Sequence, residues 1–406
     1  MSLSWALRKA WYRTFQACFN VGAACLPWRK AERIEGVGSV GRIPSLLQAD
    51  GVQKPLVVTD PGLMKAGVAP RVLAVLDAAK IPYALYDTVE PNPSVNTVER
   101  IRALYESEAC QGFIAIGGGS SMDAAKGAAA RITRPKKSVN QLGGLLKVLK
   151  RIPPFLAVPT TAGTGSETTI AAVVTDTETH HKYAIMDLRL IPRYAVLDPE
   201  LTLGLPPHIT ATTGMDALTH AIEGFLCWTM TTKDSLRCAE EATNAIFHNL
   251  EKVYQDGNDV AARNAMLVAS YQAGFAFTRA GVGNIHAIAH TLGGLYGTPH
   301  GLANAVILPI VLEDYGEKVA PKLAHLARVA GVAIEGGDSE IAKAFISEIY
   351  AMNARMGIPR TLDVIRDEDV QQIITWASKE ANPVYPVPVL YDRARFAAVI
   401  QKIRGR

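Results

Sequence analysis

The chain has 406 residues, 49% hydrophobic and 20% charged, with no low-complexity tract, which is apolar material for two domains of ordinary size. The formal charge of +4 comes from Arg8, Lys9, Arg13, Arg29 and Lys30, and outside them 37 basic side chains face 38 acidic ones, which excludes the basic face that nucleic-acid binding requires. Five scattered cysteines without a CxxC exclude a disulfide framework and a cysteine zinc site and fit a reducing, cytoplasmic setting, and no apolar run reaches the ~20 residues that span a bilayer.

Residues 1–30 form a basic extension without a single acid. Leu3, Leu7, Trp11 and Phe15 step by four along one side of a helix, with Lys9, Arg13, Gln16 and Asn20 opposite. Such a helix either lies on an anionic membrane surface or packs on the body or on a second subunit; the pattern alone does not separate these. From residue 55 to about 200, short apolar strands alternate with helical stretches. PLVVTD (55–60), YALYD (83–87), GFIAIGG (112–118), FLAVPTT (155–161) and RYAVLDP read as strands, and ETTIAAVVTD with KYAIMD reads as a hairpin across the polar ETHH turn. The alternation predicts an α/β domain, 31–206, with a mostly parallel sheet.

Two of the strands run into polar loops. In FIAIGGGSSMDAAK, Gly117, Gly118 and Gly119 let the backbone approach a ligand, and the helix that follows offers free N–H groups to an anion. The second loop, PTTAGTGSE (159–167), carries three threonines and two glycines. Two such loops after strands are expected where a dinucleotide crosses the carboxyl ends of a sheet. Asp60 ends the first strand; it either binds a ribose 2′-hydroxyl, repelling a 2′-phosphate, or only begins the Asp60-Pro61-Gly62 turn.

After Pro206-Pro207 the strands stop and helical patterns follow at 211–228, 233–254, 258–279, 285–296, 302–330, 338–356, 367–380 and 392–404, giving an all-helical domain, 207–406. Asp216 and His220 are four apart on one helix face. Three of the chain's nine histidines, His286, His290 and His300, fall within fifteen residues. A carboxylate and several imidazoles gathered from helices make a divalent metal site, and the absence of cysteine suits Fe(II), Zn(II), Mn(II) or Co(II). HAIAH lacks the glutamate of a zinc peptidase. Spacing does not decide between His286 and His290 as the ligand.

IGGGSSMDAAK, AVPTTAGTGSE, KYAIMD, GMDALTHAIE, HAIAH and YGTPHGLANAVILP together resemble the iron-containing (group III) alcohol dehydrogenases, in family order from about residue 31 to 405. The resemblance implies an N-terminal dinucleotide-binding α/β domain, an all-α metal-binding domain, and a cleft between them for NAD(P) and one metal, Fe(II) or Zn(II). It implies Asp216, His220, His286 and His300 as metal ligands and His290 beside the nicotinamide and substrate. Gly118, Gly119 and Ser120 would contact the pyrophosphate, with Gly117 and Asp123 counted in the same cofactor loop. Thr160, Thr161 and Thr164 would line the nicotinamide side, Lys182 would reach a ribose, and Asp60 would favour NAD over NADP. The implied activity is reversible hydride transfer between a primary alcohol and NAD, in a cytoplasmic enzyme expected to be a homodimer. Alternatives are a glycerol or diol dehydrogenase, a non-redox lyase resembling dehydroquinate synthase, and a membrane-surface protein with a vestigial site. Val282, Asn284 and Gly297 depart from larger side chains common in the family, and residues 1–30 have no counterpart in it.

Overall fold

The computed structural model describes residues 4–177, 181–333 and 335–405. They form two compact units. One comprises Pro27–Leu205 with Gly257–Tyr271; the other comprises Pro206–Asp256, the stretch from Gln272 onward and the residues up to Leu26. The partition differs from the sequence expectation in two places: 257–271 joins the α/β unit, and the N-terminal extension joins the helical one.

The strands are β1 (Glu32–Glu35), β2 (Pro55–Val58), β3 (Ala84–Tyr86), β4 (Gly112–Gly117), β5 (Gly144–Leu145), β6 (Phe155–Pro159), β7 (Ala171–Asp176), β8 (His181–Met186) and β9 (Tyr194–Leu197). Six of them build an all-parallel sheet in the order β1-β9-β6-β4-β2-β3. Every residue of β2, β4, β6 and β9 is buried, because helices cover both faces. Alternate side chains separate into two cores. Leu56, Val58, Phe113, Ala115, Phe155 and Ala157 meet the helices Val95–Ser107 and Gly119–Thr133. Val57, Ile114, Ile116, Leu156 and Val158 meet Ile43–Ala49 and Val68–Ala78. From β2 the chain first adds β3 on one side and then β4 on the other, so the strand order reverses between β2 and β4. A ligand crevice forms at such a reversal, outside the carboxyl ends of the strands. Asp60 follows β2, the Gly117–Ser120 loop follows β4, and the Thr160–Gly165 loop follows β6.

The predicted hairpin is β7 with β8, antiparallel with Ala171 opposite Met186; the predicted turn lies mostly outside the described residues. Two strands escape the hydrophobic pattern. β1 is the charged ERIE, an edge strand paired with β9, and β5 is two residues long.

The helices of the second unit include Pro207–Leu226, Lys233–Gln255, Asn284–Tyr296, Asp338–Arg355, Val370–Ala381 and Arg393–Ile403. The single helix expected over 302–330 is two, His300–Tyr315 and Ala320–Val329. Gly316, with φ +55° and ψ −141°, turns the chain where helix cannot continue.

The N-terminal helix expected from the sequence spans Trp5–Ala24. It packs on the helical unit through Arg13 and the fully buried Gln16, while Leu7, Trp11 and Val21 of the apolar side stay 57%, 55% and 68% exposed. Leu3 lies outside the described residues. The surface beneath the helix presents backbone carbonyls, which select donors over methyl groups. Among the described residues no helix is long and apolar enough to cross a membrane.

Candidate active site

In the α/β unit the two polar loops interlock. Gly117 has φ +147°, and a Cβ there would lie 2.6 Å from Ser121 Oγ, so no other residue fits. Beside it, the Thr160 N–H donates to Gly117 O (3.2 Å), and a Cβ at Gly118 or Gly119 would crowd Thr161 Oγ1 (3.2 Å) or Thr164 Cγ2 (3.1 Å). The N–H groups of the first turn of Gly119–Thr133 have no intrahelical partner and suit an anion. Ser120 Oγ accepts from Asn92 N (3.3 Å), and Lys182 Nζ donates to Asn92 Oδ1 (2.9 Å), so Ser120, Asn92 and Lys182 form one group. Burial lowers the Lys182 pKa.

Two of the expected cofactor carboxylates have internal duties. Asp60 caps the short helix Pro61–Lys65, its Oδ1 accepting from Leu63 N (3.0 Å). Asp123 accepts from Ser166 Oγ (2.8 Å) and Val173 N (3.0 Å), which ties it to the second loop and to β7. Sequence reasoning missed Lys126, one turn further on, where the i, i+3 spacing from Asp123 was the available signal. Its buried Nζ donates to Ser166 Oγ (3.0 Å), Thr169 Oγ1 (2.9 Å) and Ala171 O (3.1 Å), which ties the second loop to the helix of the first. Burial pushes the Lys126 ammonium down to about 8 and the neighbouring Glu167 carboxyl up to about 7.

In the helical unit, Asp216 and His220 project from Pro207–Leu226, His286 from Asn284–Tyr296, and His300 opens His300–Tyr315 after Pro299. One ligand atom from each lies within 4.8 Å of all the others, an arrangement able to hold a metal ion. Asp216, His220 and His286 are buried and His300 is partly exposed, which leaves one side of the group open. His220 is stacked on Phe277, ring centroids 4.1 Å apart.

Two side chains that sequence reasoning missed set the donor atoms. Glu223 accepts from Gly283 N (2.8 Å), Ile285 N (2.9 Å) and His286 Nδ1 (2.6 Å). Only a glycine at 283 admits this, since a Cβ there would sit 2.4 Å from Glu223 Oε1. With Nδ1 bonded to a carboxylate, the His286 lone pair is on Nε2. Burial, reinforced by His220, His300 and His290, holds His286 well below its ordinary pKa, so it is a neutral imidazole, the form that binds metal. Burial pushes Glu223 up to about 7, against the pull of the N–H groups it accepts. Asn304 Nδ2 donates to Asp216 Oδ1 (2.6 Å) and lies 3.1 Å from Nε2 of both His286 and His300. The signals were present: Glu223 is seven residues beyond Asp216 on the same helix face, and Asn304 is four beyond His300.

His290 is not in the converging group. One turn beyond His286, its ring stacks on that of His300 (5.0 Å, 14°), and its Nδ1 lies 2.6 Å from Glu380 Oε1. The carboxylate comes from ninety residues away, and no local pattern announces it.

The donor set, one carboxylate oxygen and three imidazole nitrogens with both outer partners in place, fits a divalent cation of borderline hardness. Comparison with known proteins agrees with this chemistry. The family description "Iron-containing alcohol dehydrogenase" matches residues 31–199, and "Fe-containing alcohol dehydrogenase family, C-terminal" matches 210–403. The lactaldehyde reductase of Escherichia coli (strain K12) is 38% identical over 342 residues, 82% of this chain and 88% of that one. A solved 1,3-propanediol oxidoreductase is 34% identical with a TM-score of 0.89, over 93% of this chain and 99% of that one. The sulfoacetaldehyde reductase from Bifidobacterium kashiwanohense, solved in complex with NAD+, is 28% identical with a TM-score of 0.82, again over 93% of this chain and 99% of that one.

Proposed function

The chain belongs to the iron-containing alcohol dehydrogenase family, and from that premise we propose that it interconverts a small primary alcohol or diol and its aldehyde with NAD as the hydride carrier. The observation that carries this reading is the convergence of Asp216, His220, His286 and His300, with Glu223 bonded behind one ligand and Asn304 bridging three of them. These four residues would hold the metal, Fe(II) by family resemblance. A divalent ion in such a site acts as a Lewis acid that stabilises developing negative charge on the alcohol oxygen. NAD accepts the hydride when bound.

The remaining work falls to the chain itself. Glu223 keeps the His286 lone pair on Nε2, and Asn304 holds the Asp216 carboxylate. His290, whose Nδ1 is engaged by Glu380, would take the alcohol proton and pass it to solvent. The N–H groups after Gly118 and the Ser120–Asn92–Lys182 group would bind the pyrophosphate and a ribose. The carboxylate of Asp60 at the end of β2 supports NAD over NADP, because a 2′-phosphate there would meet a like charge. The substrate names of the relatives, lactaldehyde and 1,3-propanediol, support an alcohol with a second polar group near the reacting carbon.

The test is made on protein purified without oxygen and resupplied with Fe(II). Reduced cofactor is followed by absorbance with NAD or NADP and alcohols from ethanol to octanol, glycerol and propane-1,3-diol. Metal-dependent NADH formation, strongest with a short diol, is expected. No reduced cofactor with any alcohol, despite bound metal and bound NAD, would overturn the reading. His290→Ala should lower kcat by about a hundredfold, the scale of general acid–base catalysis, and leave the metal content unchanged. Loss of metal in that variant would show that the division between ligand and proton carrier is wrong.

A further inference from the structure

The N-terminal helix precedes the first residue matched to the family, residue 31, yet a continuous run of hydrogen bonds joins it to His290. Gln16 uses its whole amide. Its Nε2 donates to Pro383 O (2.8 Å) and Tyr385 O (2.7 Å), and its Oε1 accepts from Trp228 Nε1 (2.6 Å) and Arg13 Nη1 (3.0 Å). Arg13 adds bonds to Val387 O (2.8 Å) and Pro388 O (3.0 Å), its guanidinium 5.0 Å over the Trp228 ring. All four recipient carbonyls lie in the segment 383–388, PVYPVP, which connects the helices Val370–Ala381 and Arg393–Ile403 without regular structure of its own. Three prolines remove half of its N–H donors, so the segment has a surplus of acceptors and little means of bonding itself. The helix supplies the missing donors.

What the segment carries is Tyr385. Its hydroxyl donates to Glu380 Oε1 (2.7 Å), the same oxygen that lies 2.6 Å from His290 Nδ1. The run is therefore Gln16 to the Tyr385 backbone, Tyr385 Oη to Glu380, and Glu380 to His290.

We propose that the helix Trp5–Ala24 is a strap that positions His290, with Gln16 fixing the 383–388 segment, Tyr385 fixing the Glu380 carboxylate, and Glu380 fixing the imidazole. The proposal rests on the reading of His290 as the proton carrier. Gln16, Tyr385 and Glu380 are positioning residues and act only through His290. A strap of this kind also accounts for the sidedness of the helix, whose polar face is turned inward towards carbonyls.

The experiment is a double-mutant cycle on the full-length, Fe(II)-loaded protein, with propane-1,3-diol and NAD as substrates. Gln16→Ala and Tyr385→Phe are each made in the natural sequence and in His290→Ala. Tyr385→Phe removes one hydroxyl and keeps the ring, so it guards against a folding failure in Gln16→Ala. Each single variant should lower kcat about fivefold, the scale of about 1 kcal/mol of lost positioning at His290, with KM for NAD and metal content unchanged. Neither should lower kcat further once His290 is alanine. Wild-type kcat in both single variants would overturn the strap, and so would an equal loss in the His290→Ala background, which would mark a general structural effect. Wild-type turnover in His290→Ala alone would instead retire the proton-carrier reading itself.

Discussion

Asp216→Asn should lose its metal on dialysis and fall at least about a thousandfold in kcat/KM. Asp216 is the only anion among the four converging side chains, and it is buried. Its attraction for a dication therefore acts in a low-dielectric setting, where a charge counts for far more than in water. Asparagine keeps the shape and can still accept from Asn304 Nδ2, so the helix and its packing survive while the charge disappears. A Lewis acid is worth several kcal/mol to the reaction, and each ~1.4 kcal/mol is tenfold in rate, which sets the expected loss. Metal content by elemental analysis and kcat/KM with propane-1,3-diol are measured on the same preparation, with a thermal melt of the metal-free proteins as the control for folding. Full metal occupancy with undiminished turnover would remove Asp216 from the site.

Glu223→Gln should weaken metal binding by about ten- to a hundredfold, the usual cost of losing the outer partner of a histidine ligand. Glu223 receives three N–H donors on two oxygens. A glutamine must turn its NH2 group against at least one of those donors. The result is an unsatisfied buried group, at about 1–3 kcal/mol, and a His286 ring no longer held with Nε2 as its lone-pair atom. Titration of the metal-free variant with Fe(II) or Zn(II) reads the affinity, and a melt of the metal-free form reads the packing penalty separately. A melt that shifts while affinity stays within twofold of wild type would mean that Glu223 serves the fold and not the metal.

Much of this site was legible because histidine is scarce in the chain and helical spacing is a strong rule. Asp216 with His220, and the three histidines of 283–301, stood out on rarity and period alone. The rule stops at the choice between His286 and His290, one turn apart on one helix. Their partners differentiate them: Glu223 comes from 63 residues away and Glu380 from 90, distances at which no local pattern operates. The central strands were legible from their apolar runs, whereas ERIE was not, since an edge strand is fixed by its neighbour β9 more than by its own side chains. Asp123 has partners that were not legible for a related reason. A carboxylate in a phosphate loop suggests a ligand contact, but the fold brings Ser166 and the Val173 N–H to it from forty to fifty residues downstream. On the N-terminal helix, amphipathicity predicted which residues share a side and left open which side faces inward, because that depends on a surface assembled from residues 383–388.

That bond between Gln16 and Tyr385 joins residues 369 apart in the chain. At about 5–20 residues per second, a ribosome needs on the order of 20–70 s to deliver the second partner after the first. Through that interval the helix lacks the 383–388 carbonyls that seat it, and a lone 20-residue helix in water is marginal. Its stripe of Leu7, Trp11 and Val21 and its polar face are then both open to whatever else is in the cell. The strap is synthesised well before the segment that seats it, so the nascent chain carries an exposed aromatic handle through that interval.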